Sequence, residues 1–235
     1  MKRYLPFAII FVVGASALTG GSLLYRAKVG ELERVVTAAG AANPGAQPAH
    51  VQGPAKAAVT LEEFGDFQCP PCATVALVLR EVEKEYGSKL RVIFRNFPLE
   101  MHNHAAEAAR VAEAAGLQGK FWEMHEILYR SQTAWSKGAD PKSAFVSYAT
   151  GLGLDLARFE KDLESDAVKR RVQADQERGK SLGVNSTPTF FLNGRALPPS
   201  SLNDKSLRAA ISGALRGEAP PPLSTPTPSP AVLTP

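Results

Sequence analysis

The two cysteines of this chain stand three residues apart in FGDFQCPPCATVA, residues 64–76, as Cys69 and Cys72 with Pro70 and Pro71 between them. Two thiols at that spacing can be a structural staple, part of a metal site, or a redox couple. A staple gains most where it closes a long loop, and Cys69–Cys72 closes almost nothing. A tetrahedral zinc site needs about four N or S ligands. No second cysteine pair exists, and the histidines are His50, His102, His104 and His125. A Cys₂His₂ set stays open on residue type, but the spacing fits no ordinary finger or ribbon. A C-x-x-C redox couple, reversibly forming a Cys69–Cys72 disulfide, fits best, provided the motif lies where a strand passes into a helix.

The redox chemistry depends on that junction. The attacking species in disulfide exchange is a thiolate, and a helix N-terminus offers unsatisfied N–H groups and a partial positive charge that favour it. Cys69, at the helix start, is expected to be the exposed nucleophile. Cys72, one turn deeper, is expected to be the resolving thiol. Pro70 and Pro71 have no N–H, so a Cys69 thiolate must rely on the N–H and S–H of Cys72 and on the helix dipole. That predicts a Cys69 pKa below the ordinary ~8.5, without the extreme depression of the strongest oxidants. Pro71 also disfavours helical geometry at Pro70, which places the start of the regular helix at Pro71.

The elements that must position this motif are legible around it. Residues 58–67, AVTLEEFGDF, and 90–98, LRVIFRNFP, read as strands. Residues 73–86 between them have helical periodicity and stop at Gly87, giving a β-α-β unit with a right-handed crossover. About 85 residues without strand signal follow, with helices near 103–115, 119–131, 141–150, 155–164 and 166–182. TFFLNGRAL, 189–197, then supplies a hairpin with an Asn193–Gly194 turn, and a helix near 203–216 closes the domain. The fold class is therefore α/β, a β-α-β half and a β-β-α half split by a helical insertion over about 99–183.

This order, with CPPC opening the first helix, resembles the DsbA-like branch of the thioredoxin superfamily over residues 58–216. Two more positions carry the resemblance. VNSTPTFF, 184–191, places Thr187-Pro188 directly before an apolar strand, where the superfamily has a cis-proline facing the motif. The resemblance implies that Pro188 is cis and that the Thr187 backbone is free to pair with an extended substrate peptide. Glu63, six residues before Cys69, stands where the superfamily often buries a carboxylate beneath the thiols, which implies a proton acceptor for Cys72. The plain alternative is an exposed strand glutamate, with Glu62 beside it as a competitor. Val59, Leu61 and Glu63 share one strand face, which favours burial. The activity implied is extracytoplasmic thiol-disulfide exchange with reduced or misoxidised proteins. Oxidase is the leading direction; reductase or isomerase is the alternative, and a copper-binding chaperone using a histidine is a weaker one.

The rest of the chain sets context. Residues 4–25 carry no charge, and at ~1.5 Å per residue they are long enough to cross a hydrocarbon core of ~30 Å. They read as an N-terminal anchor, with a signal peptide cleaved near Ala15-Ser16-Ala17 as the competitor. Either places the domain in the periplasm or on the outer face of the membrane. Residues 26–57 read as a juxtamembrane helix and an Ala/Gly/Pro linker, and 217–235 as a disordered Pro-rich tail. The net charge of +4 comes from the N-terminal region, leaving residues 58–216 near neutral, which argues against nucleic-acid binding. Met101, His102 and His104 read as local helix-entry bonding rather than metal ligands. No cofactor site beyond the Cys69–Cys72 disulfide is expected. The resemblance implies a membrane redox partner of the DsbB or vitamin-K-reductase type, or a reductant-supplying membrane protein for the reverse direction.

Overall fold

A computed structural model of the chain describes residues 43–138 and 140–219. The expected anchor at 4–25, the juxtamembrane helix and residues 220–235 of the tail lie outside them. Among the described residues no helix is long and apolar enough to cross a membrane.

Five strands form one sheet: β1 His50–Gln52, β2 Val59–Gly65, β3 Leu90–Asn96, β4 Thr189–Leu192 and β5 Arg195–Ala196, in the spatial order β1-β3-β2-β4-β5. β2 and β3 are parallel, with Leu61 opposite Val92, while β4 runs antiparallel to β2 with Leu192 opposite Leu61. Helix α1, Pro70–Tyr86, makes the parallel crossover. The insertion between β3 and β4 holds α2 Ala105–Gly116, α3 Phe121–Arg130, α4 Gln132–Ser136, α5 Lys142–Gly151, α6 Leu156–Leu163 and α7 Asp166–Ser181. α8, Asp204–Leu215, follows the hairpin. This is the thioredoxin arrangement with a helical insertion.

β2 is central and buried on both faces, and its alternation sorts two sets of contacts. Val59, Leu61 and Glu63 face α1 and α8, where Val75, Leu79, Val82, Leu207 and Ile211 complete a core. Glu62 and Phe64 face the other way, toward Phe97, Phe191 and α7. A third core joins Cys69, Cys72, Phe67 and Phe94 to α2, α3 and α5 of the insertion, so the thiols lie where the insertion packs on the β-α-β half. α1 buries Cys72, Val75, Leu79 and Val82 at helical spacing and ends on Gly87, whose positive φ of 49° allows the turn. Asn193 and Gly194 both have positive φ, as a two-residue hairpin turn with this twist requires.

Two expectations are corrected. Residues 43–57 are not a free linker. Ala46 is buried, β1 pairs antiparallel with β3, and Arg95, Arg171 and Arg178 donate to the carbonyls of this segment. The folded unit therefore begins ahead of residue 58. α1 starts at Pro70, not Pro71, with Cys69 as an extended N-cap (ψ 119°). The first-turn N–H groups have no intrahelical partner in any helix, so two prolines there sacrifice no ladder bond. The short α4 also went unforeseen.

Candidate active site

Cys69 closes the loop after β2 and Cys72 is the third residue of α1. Both are free thiols. Cys69 is 4% exposed and Cys72 fully buried, so the expected exposed nucleophile is only barely accessible. The insertion covers it more closely than a bare strand-helix junction would. Pro70 and Pro71 occupy the first two helical positions, leaving the Cys72 N–H as the first backbone donor of the turn. The Cys69 thiol is lowered to about 6. The Cys72 S–H donating to its sulfur is the largest contribution, opposed by burial and assisted by Thr187 and the Cys72 N–H. Burial pushes the Cys72 thiol far up, and its bond to Cys69 and the charge of Glu63 act in the same direction. One thiol of the pair is thus poised as thiolate and the other held protonated.

The Thr187–Pro188 peptide is cis and lies against the motif. In its protonated form the Cys69 Sγ donates to the Thr187 carbonyl at 3.3 Å, a bond that ionisation to the thiolate breaks, so this carbonyl is engaged in the thiol form rather than free. Glu63 is 1% exposed and directly in register with Phe94 and Phe190. Burial, then the charges of Glu83 and Cys69, pushes its carboxyl up to about 8. Glu62 is also buried but on the opposite face, where Arg95 and Arg178 hold it well ionised despite its burial. The two adjacent glutamates therefore have opposite environments. Beside Glu63, a cavity of about 340 Å³ between α1 and α3 is lined by Glu83, Trp122, His125 and Tyr129 among others. Glu63 Oε1, His125 Nε2 and the Tyr129 hydroxyl have no protein partner.

Three loop-holding residues were missed by sequence reasoning. Asp66, 1% exposed, accepts from the N–H of Gln68 at 2.7 Å, the N–H of Leu99 at 2.9 Å and His102 Nδ1 at 2.7 Å. Its own carbonyl accepts the Cys69 N–H at 3.1 Å. An Asp two residues before a turn N–H is an Asx-turn signal that could have found it. Gln68 accepts the His104 N–H, and Gln132 donates to the Phe67 and Cys69 carbonyls. Nothing local marks Gln132. His102 and His104 bond within these loops, the latter to the Gly138 carbonyl, and among the described residues no His/Cys/Asp/Glu group is arranged to hold a metal.

Residues 46–212 match a protein-family model described as thioredoxin. Among solved structures, a thioredoxin-like oxidoreductase from Silicibacter pomeroyi is 25% identical with a TM-score of 0.61, covering 73% of this chain and 94% of that one. DsbA2 of Pseudomonas aeruginosa is 26% identical with a TM-score of 0.57, covering 69% and 91%. Oxidised BdbD of Bacillus subtilis, at 20% identity and a TM-score of 0.65 over 75% of this chain and 99% of that one, shares the fold. Among curated proteins, a Na(+)/H(+) antiporter NhaA 1 of Mycolicibacterium gilvum is 40% identical over 151 residues, which are 62% of this chain and 23% of that protein. The chain spans about a quarter of the length of the curated relatives it matches. A match across most of the described domain, with the fold and the cysteine pair of thiol-disulfide oxidoreductases, means that the chain belongs to the thioredoxin family, in its DsbA-like form.

Proposed function

We propose that the chain is an extracytoplasmic thiol-disulfide oxidoreductase that works as an oxidase of substrate proteins. The observation that carries this is the placement of the pair: Cys69 caps α1 against cis-Pro188 with Cys72 buried behind it, an arrangement that lowers the Cys69 thiol to about 6 and pushes Cys72 up by burial. A thiolate stabilised in the reduced protein favours the reduced form, which makes the disulfide a better oxidant.

A substrate thiolate attacks Cys69 Sγ, a substrate–Cys69 bond forms and the Cys69–Cys72 bond breaks. Cys72 leaves as a thiolate and takes a proton from Glu63, whose carboxyl at about 8 still holds one near neutrality. A second substrate thiolate then attacks the substrate sulfur of the mixed disulfide. The substrate leaves with its disulfide, and Cys69 departs as a thiolate facing the Cys72 S–H. During the mixed-disulfide stage, an extended substrate segment takes over the Thr187 carbonyl beside cis-Pro188 by strand-like pairing.

The domain is tethered to the membrane by residues 4–25 and reoxidised by a membrane protein of the DsbB or vitamin-K-reductase type. Relatives that carry a matching stretch within longer polypeptides named as Na(+)/H(+) antiporters support work beside a membrane, where an ion antiporter acts. Their transport activity is not proposed for this chain. The reverse direction, as reductase or isomerase, uses the same residues and differs in potential alone. Equilibration of Cys69–Cys72 with glutathione separates the two: a potential near about −120 mV supports the oxidase and one near about −270 mV the reductase. Alongside it, Cys69→Ser and Cys72→Ser should each abolish oxidation of a reduced, unfolded substrate; a parental rate in either variant would sink the proposal.

A further inference from the structure

Pro70 and Pro71 contribute no N–H to the loop carrying Cys69, and beyond the first helical turn the insertion supplies further donors to its carbonyls. Gln132, the first residue of α4 and 8% exposed, donates its side-chain amide to the Phe67 carbonyl at 2.8 Å and to the Cys69 carbonyl at 2.9 Å. An amide NH₂ has two hydrogens, so both are used on this loop. The Cys69 carbonyl also accepts the Ala73 N–H at 3.2 Å, which makes it doubly bonded. Gln68 ties the same loop to the insertion from its other side, donating to the Ser136 carbonyl at 3.3 Å and accepting the His104 N–H at 2.7 Å.

We propose that Gln132 is a positioning residue of the redox reaction: its amide fixes the Phe67 and Cys69 carbonyls, and with them the backbone that places the Cys69 sulfur at the N-terminus of α1 beside Thr187. The inference rests on the reading of Cys69 as the nucleophile. Two physical effects follow from the geometry. The first is conformational. With both carbonyls held, the backbone that carries the Cys69 Cβ is fixed against the N-terminus of α1, so the sulfur stays within reach of the groups that favour its thiolate. The second is electrostatic. The carbonyl of Cys69 belongs to the residue bearing the negative sulfur, and a donor on its oxygen draws that partial negative charge away from the thiolate. The helical insertion, otherwise a cover for the site, thereby acts on its acidity and potential.

The test uses the full-length protein with Gln132→Leu and Gln132→Met. Both remove the donors, and both side chains suit a buried apolar wall. Cys69 ionisation is followed by thiolate absorbance against pH in the reduced form, and the equilibrium with glutathione is measured beside it. The expected result is a Cys69 titration displaced upward and a reduced-to-oxidised equilibrium constant about tenfold lower, equivalent to about 30 mV more reducing. A variant that folds and melts lower, yet keeps the parental titration and glutathione constant, would make Gln132 merely structural and overturn the inference. The parent protein supplies a readout that needs no variant. The side-chain amide resonances of Gln132 should shift as Cys69 ionises, and resonances that stay fixed through that titration also overturn it. Failure of the underlying reading looks different: Cys69→Ser would then retain exchange activity whatever Gln132 does.

Discussion

Glu63 and Cys69 pull the pH dependence of stability in opposite directions. The Glu63 carboxyl is raised from an ordinary 4.5 to about 8, first by burial and then by Glu83 and Cys69. The folded protein thus holds a proton that the unfolded chain releases. That contribution is fully present below about 4.5 and is lost as the pH rises through about 8. The reduced Cys69 thiol, lowered from 9.0 to about 6, contributes stability that is present above the unfolded value and lost as the pH falls through about 6. The oxidised protein has no thiol to titrate, so there the carboxyl effect stands without its opponent. Burial also raises Glu83, to about 7, which adds a loss of the same sign. Without the Cys69 charge, burial and Glu83 still raise the carboxyl in the oxidised form, so we predict that the oxidised parent loses stability as the pH rises above the ordinary carboxylate value and that Glu63→Gln recovers part of that loss. Urea midpoints across this window measure it. Parallel profiles for parent and variant would show that Glu63 does not hold its proton in the folded state.

At the scale of elements, α7 is fitted to the sheet through a glycine. A Cβ on Gly179 would lie 2.6 Å from the Phe97 ring and 3.0 Å from the Phe64 ring, and both rings are buried. Alanine is the better helix former by ~1 kcal/mol, whereas overpacking a filled core costs about 1–3 kcal/mol. Flat rings locked between β2, β4 and the helix have nowhere to yield, so the second effect wins. Gly179→Ala should lower the melting temperature by a few degrees; a rise would mean that the helix can slide away from the sheet. The same contrast explains what was legible in the sequence. α1 showed itself through the spacing of Val75, Leu79 and Val82 and through Gly87, and the β4–β5 hairpin through Asn193–Gly194. Cys69 and Cys72 stood out because residue type and spacing carry their chemistry, whereas Glu63 and Pro188 were legible only through the family resemblance. β1 did not, since three residues in an Ala/Gly/Pro-rich stretch owe their strand to β3. Likewise, the Glu62–Arg95–Asp175–Arg178 cluster joins β2, β3 and α7, and no local spacing announces pairings made across 33 to 116 residues.

For the molecule as a whole, the segment ahead of β2 is a fastened part of the domain. Arg95 donates to the Ala46 carbonyl at 2.9 Å and the Pro44 carbonyl at 3.1 Å, and Arg178 to the Asn43 carbonyl at 2.9 Å. Arg171 reaches the Gln47 and Pro48 carbonyls, and the Ala46 N–H donates to Asp175 at 2.8 Å. His50 stacks on Phe121 and bonds to the buried Glu113 at 2.9 Å. Any tether from the membrane therefore ends near residue 42 rather than 57, which shortens the reach of the domain. Removing the segment would strip partners from Arg95, Asp175 and Glu113, all nearly fully buried. A hydrogen bond to a charged group contributes about 1.5–3 kcal/mol, several are lost together, and a domain's whole margin is only about 5–15 kcal/mol. A chain beginning at Asn43 should melt like the parent, while one beginning at Ala58 should be largely unfolded at 25 °C by circular dichroism. If the shorter chain melts within two or three degrees of the longer one, at a scale of about 2–4 °C per kcal/mol, the segment is a passenger and the tether regains its full length.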